Sequence, residues 1–252
     1  MRLVMTNSDP ECNLISETMD AESGDLTIAV QDYLRAIYAL ESTGAPVTTS
    51  ALATRMGVKP PSATAMTKRL AELGLVERRP YKGVALTEIG KRGALEVLRH
   101  HRLLERYLAD RLGFSIDEVH AEADRLEHAL SEELEAKIDE ELGYPTHDPH
   151  GGPIPDSKLR VRRGGDRSLV ELAVGERATV SQIPDGDAAL LRYLTELGLV
   201  PGSEVEVVEI APFSGPITLR TMRGEHAISR ELGQRIGALA LRATPRRQAT
   251  MR

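Results

Sequence analysis

Read as a pattern of apolar and polar positions, the chain changes character several times. Residues 1–24 show no apolar periodicity and are rich in Met, Ser, Asp, Glu and Gly, so they are expected to be a disordered tail. From Asp25 onward Tyr33, Leu34, Ile37, Tyr38 and Leu40 recur at helical spacing until Gly44-Ala45-Pro46. A second helix starts at an N-cap of Thr48 or Thr49, buries Leu52 and Met56 and stops at Gly57. Lys59-Pro60-Pro61-Ser62 opens a third, where proline suits the first turn and Ala63, Met66, Leu70 and Leu73 share one face up to Gly74. Residues 75–79 and 84–86 read as two short strands around the turn Pro80-Tyr81-Lys82-Gly83. Helix, short helix, helix and basic hairpin is the order of a winged helix-turn-helix, expected over residues 25–95.

Thr87 is expected to cap a long helix reaching about Leu112. Ser115-Ile116-Asp117-Glu118 has the form of a capping box that starts a further, acidic helix. This helical region spans residues 96–145. Gly143, Pro145, Pro149, Gly151, Gly152, Pro153, Pro155, Gly164 and Gly165 follow, a density that no helix or central strand tolerates, so residues 146–168 read as a linker. Beyond it, alternating runs at 178–183, 204–208 and 217–220 suggest strands around one short helix, residues 187–197. A small β-barrel over 169–243 fits that pattern, with a tail at 244–252. The fold class expected is therefore mainly α with a small β-barrel.

Composition narrows the function. No apolar run of about 18 residues is present, so neither a membrane span nor a membrane partner is expected, and the first residues lack the apolar stretch of a secretory signal. A single cysteine, Cys12, suits a reducing cytoplasm. The net charge of -6 is unevenly spread. Residues 47–92 hold nine Lys/Arg against three acids, whereas 115–142 hold eleven acids against Arg125 and Lys137. A basic module beside an acidic one fits nucleic acid at the first and a cation at the second.

His120, Asp124, Glu127 and His128 stand at offsets of 0, 4, 7 and 8, which on a continuous helix places two imidazoles and two carboxylates on one face. His101 and Glu105, four apart on the preceding helix, form another such pair. Nitrogen and oxygen donors on neighbouring helices suit a divalent cation. A solvated helix face is the plain alternative for any one pair. No HExxH pattern occurs, so an enzyme, in particular a metal-dependent hydrolase, has little support. A winged-helix sensor of a small organic molecule is the other competing reading, and such a ligand is not expected.

Asp32-Tyr33-Leu34-Arg35-Ala36-Ile37-Tyr38, Arg99-His100-His101-Arg102-Leu103-Leu104-Glu105, His120 through Ser131, and Asp148-Pro149-His150-Gly151-Gly152-Pro153-Ile154-Pro155 together carry a resemblance. The chain resembles, from about Leu26 to Ala243, the diphtheria toxin repressor family of iron- and manganese-dependent transcriptional repressors. Its last part, best matched at Leu197-Gly198-Leu199-Val200-Pro201-Gly202-Ser203, resembles the family's SH3-like or FeoA-like domain. The resemblance implies a homodimer on a palindromic double-stranded DNA operator, with residues 96–145 binding metal and dimerising. Asp32, Asp124, Glu127 and His128 correspond to the primary metal position. His101, Glu105 and His120 correspond to an ancillary one, with Asp187 as a further ligand from the barrel and Leu190 where the iron repressors have a second.

Iron-type members carry a methionine and a cysteine where this chain has Asp32 and Asp124. Hard carboxylates in place of soft sulfur favour Mn²⁺, with Fe²⁺ the alternative and Co²⁺ or Zn²⁺ possible on affinity alone. Arg35 stands where manganese regulators with a tight binuclear pair place a glutamate, which argues against that arrangement. Operator contact is expected from the recognition helix, residues 60–73, through Lys59, Pro61, Ser62, Thr64, Thr67 and Lys68. The hairpin residues Arg78, Arg79, Tyr81 and Lys82 are expected at the backbone or minor groove.

Overall fold

The computed structural model describes residues 26–79, 83–162 and 164–241. The expected tails at 1–24 and 244–252, with Tyr81 and Lys82, lie outside the described residues. Two compact units result. The first takes in the chain up to His101, Glu127–Ser131 and Pro155–Arg160; the second takes in Arg102–Leu126, Glu132–Ile154 and the chain from Val161.

In the first unit α1 (Ile28–Glu41), α2 (Thr49–Met56) and α3 (Pro60–Glu72) precede the antiparallel hairpin β1 (Val76–Arg79) and β2 (Gly83–Leu86). The stops and starts follow the local chemistry. Thr48 caps α2 by accepting the Ala51 N–H at 3.1 Å, and Gly57 ends it in the left-handed conformation. Val30, Leu34 and Ile37 of α1 pack with Leu52, Ala63, Leu70, Leu75, Val76 and Val84 into one buried core. That core fixes the orientation of α3 and of the α1 face carrying Asp32.

Thr87 accepts the Gly90 N–H at 3.1 Å and starts α4 (Glu88–Leu112). The helix meets the wing so closely that a Cβ on Gly90 would lie 1.9 Å from the Leu75 carbonyl oxygen. No other residue fits there without displacing backbone.

The second unit holds the later half of α4, then α5 (Val119–Leu126) and α6 (Glu132–Glu141). The Ser115–Glu118 pair forms, with the Glu118 carboxylate accepting from both the Ser115 N–H and hydroxyl. It closes a turn, however, and regular helix begins at Val119. The single helix face expected for His120, Asp124, Glu127 and His128 does not persist. After Leu126 the chain tightens into a 3₁₀ turn, Glu127–Ala129, which rotates Glu127 and His128 away from the α-helical register.

The 146–168 segment, read as a linker from its glycines and prolines, is closely packed over its first part. Asp148 and His150 are buried, and His147 bridges Pro153. Composition reports that helix and strand are excluded; it does not report whether the resulting loop is solvated.

The remainder is antiparallel sheet. β3 (Arg167–Ser168), β4 (Arg177–Gln182), β5 (Glu204–Ile210), β6 (Ile217–Thr221) and β7 (Gly224–Ile228) are joined by β8 (Gly237–Ala240) in the order β3-β8-β4-β5-β6-β7. Helices α7 (Ala188–Leu197) and α8 (Arg230–Gln234) accompany them. Among the described residues β3 and β7 remain as edges, so the pairing is that of an open sheet and not the closed barrel expected from the alternation. Leu191 and Leu194 of α7 fill its core with Val180, Val205, Val207, Ile217 and Leu219. No described helix is long and apolar enough to cross a membrane.

Candidate metal centre and nucleic-acid face

In the first unit Asp32, Glu127 and His128 converge, each offering one ligand atom within 4.8 Å of the others. Asp32 comes from α1, two residues from each of the buried Val30 and Leu34, while the 3₁₀ turn supplies the other two. His128 Nε2 lies 3.2 Å from Asp32 Oδ1 and 3.4 Å from Glu127 Oε1. Its other nitrogen is committed: Nδ1–H donates to Gln31 Oε1 at 2.8 Å, and Gln31 is itself oriented because its Nε2 donates to the Leu26 carbonyl at 2.8 Å. With Nδ1 held this way, Nε2 is the nitrogen turned toward two carboxylate oxygens, an arrangement that a cation among them would stabilise. The buried Glu127 Oε1 accepts no hydrogen bond, which points the same way. These residues fit a divalent metal.

Two further groups touch Glu127. His101 Nδ1 lies 2.5 Å from its Oε2, and Arg35 Nη1 lies 3.0 Å from the same oxygen and 2.8 Å from His101 Nδ1. Thus the structure places His101, expected in the ancillary set, against a member of the primary one.

The second unit contains its own cluster. Glu105, fully buried, meets His120 Nδ1 at 3.0 Å through Oε1 and His150 Nδ1 at 3.6 Å through Oε2. Asp124 Oδ2 lies 3.7 Å from His120 Nε2. Glu105, Asp148 and His150 again offer ligand atoms within 4.8 Å of one another. His150 Nε2–H donates to the Ile116 carbonyl at 2.9 Å, leaving Nδ1 toward the carboxylates. Asp148 Oδ1 accepts from the His150 and Gly152 N–H groups at 2.8 and 2.9 Å, and Arg102 Nε sits 3.1 Å from Oδ2. A Cβ at Gly152 would stand 2.4 Å from that Oδ2, so only glycine leaves the carboxylate room.

Burial, then the nearby Glu105 charge, raises the Asp148 carboxyl to about 6 against the opposing pull of Arg102. Burial alone would depress the His150 imidazole, but the close approach of the Glu105 carboxylate and the charges of Glu105 and Asp148 lift it to about 9. Asp148, His150 and Gln31 were not singled out as ligands or orienters by spacing. The signal for the first two was present in the Asp-Pro-His-Gly-Gly motif, which carried the resemblance without a role. Asp187 caps α7, accepting from the Ala189 and Leu190 N–H groups through Oδ1. It belongs to none of the ligand groupings among the described residues. Its neighbour Gly186 lies beside His120, an added Cβ there falling 3.5 Å from Nε2.

On α3, Lys59, Pro61, Ser62, Thr64 and Lys68 are exposed, as are Arg78 and Arg79 on β1. Thr67 is not: it is completely buried and donates its hydroxyl to the Thr64 carbonyl at 3.0 Å. It therefore packs α3 against the core and cannot meet a ligand from solvent. Thr64 likewise turns its hydroxyl to the Pro60 carbonyl at 2.9 Å, though it stays exposed.

A winged helix-turn-helix followed by carboxylate–imidazole clusters defines a metal-responsive DNA-binding protein. Comparison with known proteins specifies it further. Residues 25–84 match the iron dependent repressor N-terminal DNA binding domain, 87–156 the metal binding and dimerisation domain, and 167–238 the FeoA domain. The iron-dependent repressor IdeR of Mycobacterium tuberculosis is 34% identical over 203 residues, 76% of this chain and 88% of that protein. A manganese-dependent transcriptional repressor, solved in complex with manganese, is 38% identical with a TM-score of 0.78, covering 84% of this chain and all of the other. ScaR with bound Zn²⁺ is 30% identical with a TM-score of 0.75, covering 84% of this chain and 99% of its own. The chain belongs to the iron-dependent repressor family, that of the diphtheria toxin repressor, and is a metal-dependent DNA-binding repressor.

Proposed function

We propose that this repressor is activated by Mn²⁺ and, as a cytoplasmic homodimer, shuts down metal-uptake genes through a palindromic operator. The observation that carries the metal assignment is the donor set of Asp32, Glu127 and His128, two carboxylates and one oriented imidazole with no sulfur. Such oxygen-rich sites suit Mn²⁺ better than the thiolate- and thioether-bearing sites that favour softer ions. The manganese complex among its structural relatives supports the same reading. Asp124 completes the primary set by resemblance. Glu105 and His120 form the supporting position, joined by Asp148 and His150, with His101 one helical turn from Glu105. Asp187 serves as a helix cap.

When bound, the ion supplies positive charge that holds the carboxylates together. The protein does the rest. Asp32 rides on the helix that packs behind the recognition helix, so fixing Asp32 to Glu127 and His128 fixes the reading head to the following segment. Metal and operator affinity are then coupled, each raising the other by the same factor. Lys59, Pro61, Ser62, Thr64 and Lys68 would face the major groove, and Arg78 and Arg79, with Tyr81 and Lys82 beside them in sequence, the backbone. Titrating operator binding with Mn²⁺, Fe²⁺ and Zn²⁺, each with a chelator control, tests the proposal. Mn²⁺ should activate at the lowest free concentration relative to its cellular availability, and Asp124→Ala should abolish activation while leaving the dimer folded. Chelator-insensitive DNA binding, or unchanged Mn²⁺ dependence in Asp124→Ala, would overturn it.

A further inference from the structure

We propose that Arg35 is the resident cation of the primary centre: its guanidinium neutralises Glu127 in the metal-free protein and competes with the incoming divalent ion for the same carboxylate. The inference rests on the reading of Asp32, Glu127 and His128 as the primary ligands. Three observations support it. Glu127 has a fully buried side chain, and Arg35 Nη1 contacts its Oε2 at 3.0 Å. A buried carboxylate without a compensating charge is strongly destabilising, so some cation must accompany it in every state.

Second, the contacts around Oε2 are over-filled. Arg35 Nη1 to His101 Nδ1 is 2.8 Å, and His101 Nδ1 to Glu127 Oε2 is 2.5 Å. If Nδ1 accepts from Arg35, no hydrogen lies on the 2.5 Å contact. If Nδ1 donates to Glu127, the arginine N–H faces another donor. In either tautomer one short contact is unfavourable, which marks the guanidinium as a tenant that a metal can displace. Third, Arg35 retains 21% side-chain exposure and so has a route to solvent that Glu127 lacks.

The charge balance gives the sign of the effect. Asp32 and Glu127, with Asp124 added by the resemblance, carry three negative charges; Arg35 reduces the sum to two. Removing Arg35 takes away a cation that repels the incoming ion and leaves the carboxylates more negative, so the metal-free state loses stability while metal binding tightens. A role in positioning Glu127 for coordination predicts the opposite, weaker binding.

The test compares wild type with Arg35→Gln and Arg35→Lys by direct Mn²⁺ binding, read from the electron paramagnetic resonance signal of free Mn²⁺, and by thermal unfolding with and without metal. Arg35→Gln should bind Mn²⁺ at least about tenfold more tightly, equivalent to ~1.4 kcal/mol. Its metal-free melting temperature should fall, and its gain on adding Mn²⁺ should exceed that of wild type. Arg35→Lys, which keeps the charge and preserves folding if the glutamine variant does not, should stay within about threefold of wild type. Equal or weaker binding by Arg35→Gln, or a tenfold loss in Arg35→Lys, overturns the competing-cation role. Failure of the underlying site reading gives a different result: Glu127→Gln would leave Mn²⁺ affinity unchanged.

Discussion

Gln31 accepts the Nδ1–H of His128 at 2.8 Å while its amide nitrogen is anchored on the Leu26 carbonyl, so a residue outside the Asp32–Glu127–His128 cluster decides which imidazole nitrogen faces Asp32 and Glu127. Orienters of this kind typically account for 10- to 100-fold in metal affinity. Gln31→Leu should therefore weaken Mn²⁺ binding by about that factor without unfolding α1, because the side chain is only partly buried. Isothermal titration of metal-free protein checks it. An unchanged affinity would mean that His128 is oriented by something other than Gln31.

Asp32 and Asp124 make the selectivity argument testable in the reverse direction. Asp32→Met combined with Asp124→Cys should shift activation of operator binding from Mn²⁺ toward Fe²⁺ or Co²⁺, since two hard oxygens become soft sulfur donors. The order of activation by the three ions, measured anaerobically, is the readout. An unaltered order would place selectivity outside these two positions.

Asp148 and His150 give the metal-free protein a pH dependence of definite sign. His150 is raised from its usual 6.5 to about 9, so its stabilising contribution is fully present below pH 6.5 and is lost as pH rises through 9. Asp148 is raised from 3.8 to about 6, so the folded state favours its protonated form and loses that advantage as pH rises from 4 through 6. Both effects make stability fall with increasing pH. In chelator, denaturant midpoints of wild type should drop between pH 6.5 and 9, and His150→Gln should flatten that slope. A wild-type slope no steeper than that of the variant would refute the raised imidazole.

The parts legible in the sequence are those governed by short-range chemistry. Thr48, Gly57, Pro60 and Thr87 announce element ends because caps and breakers act on the next few residues, and the helix order of the winged motif followed from them. The His101–Glu105 and His120–Asp124 pairs were visible because four residues is one helical turn. Glu127 and His128 were visible as residues but not as geometry, since nothing in Leu126-Glu127-His128-Ala129 marks the change to a 3₁₀ turn. Gln31 and Asp148 depend on partners 97 and 46 residues away in sequence, respectively His128 and Arg102, and no local pattern encodes such pairings. Sheet closure has the same difficulty: alternation identifies β5 and β6 but not which strands end as edges.

Gly90→Ala isolates one point of close packing. The added Cβ would fall 1.9 Å from the Leu75 carbonyl oxygen, well inside van der Waals contact, so either α4 or the wing must shift. Alanine's better helix propensity would return about 1 kcal/mol, which an overpacking cost of about 1–3 kcal/mol outweighs at so short a separation. Net destabilisation, together with weaker operator binding from a displaced hairpin, is the expected outcome in chemical denaturation and gel-shift assays. A stabilised variant would show that the two backbones have room to separate.

Lys68 and Thr67, adjacent on α3, should behave differently at the operator because one is exposed and the other has no accessible surface. Lys68 has only a loose 3.7 Å pairing with Glu72, leaving its ammonium available to a phosphate. Lys68→Ala should weaken binding to all sequences alike and reduce the magnitude of the salt slope by about 0.9 for each phosphate no longer neutralised, hence about twice that for a dimer. Thr67→Val keeps the shape and removes a hydroxyl already satisfied by the Thr64 carbonyl. It should change stability by under about 1.5 kcal/mol and leave base preference intact. Operator selection with randomised half-sites separates the two. A changed preference in Thr67→Val, at unchanged stability, would show that α3 presents a different face to DNA from the one its burial defines.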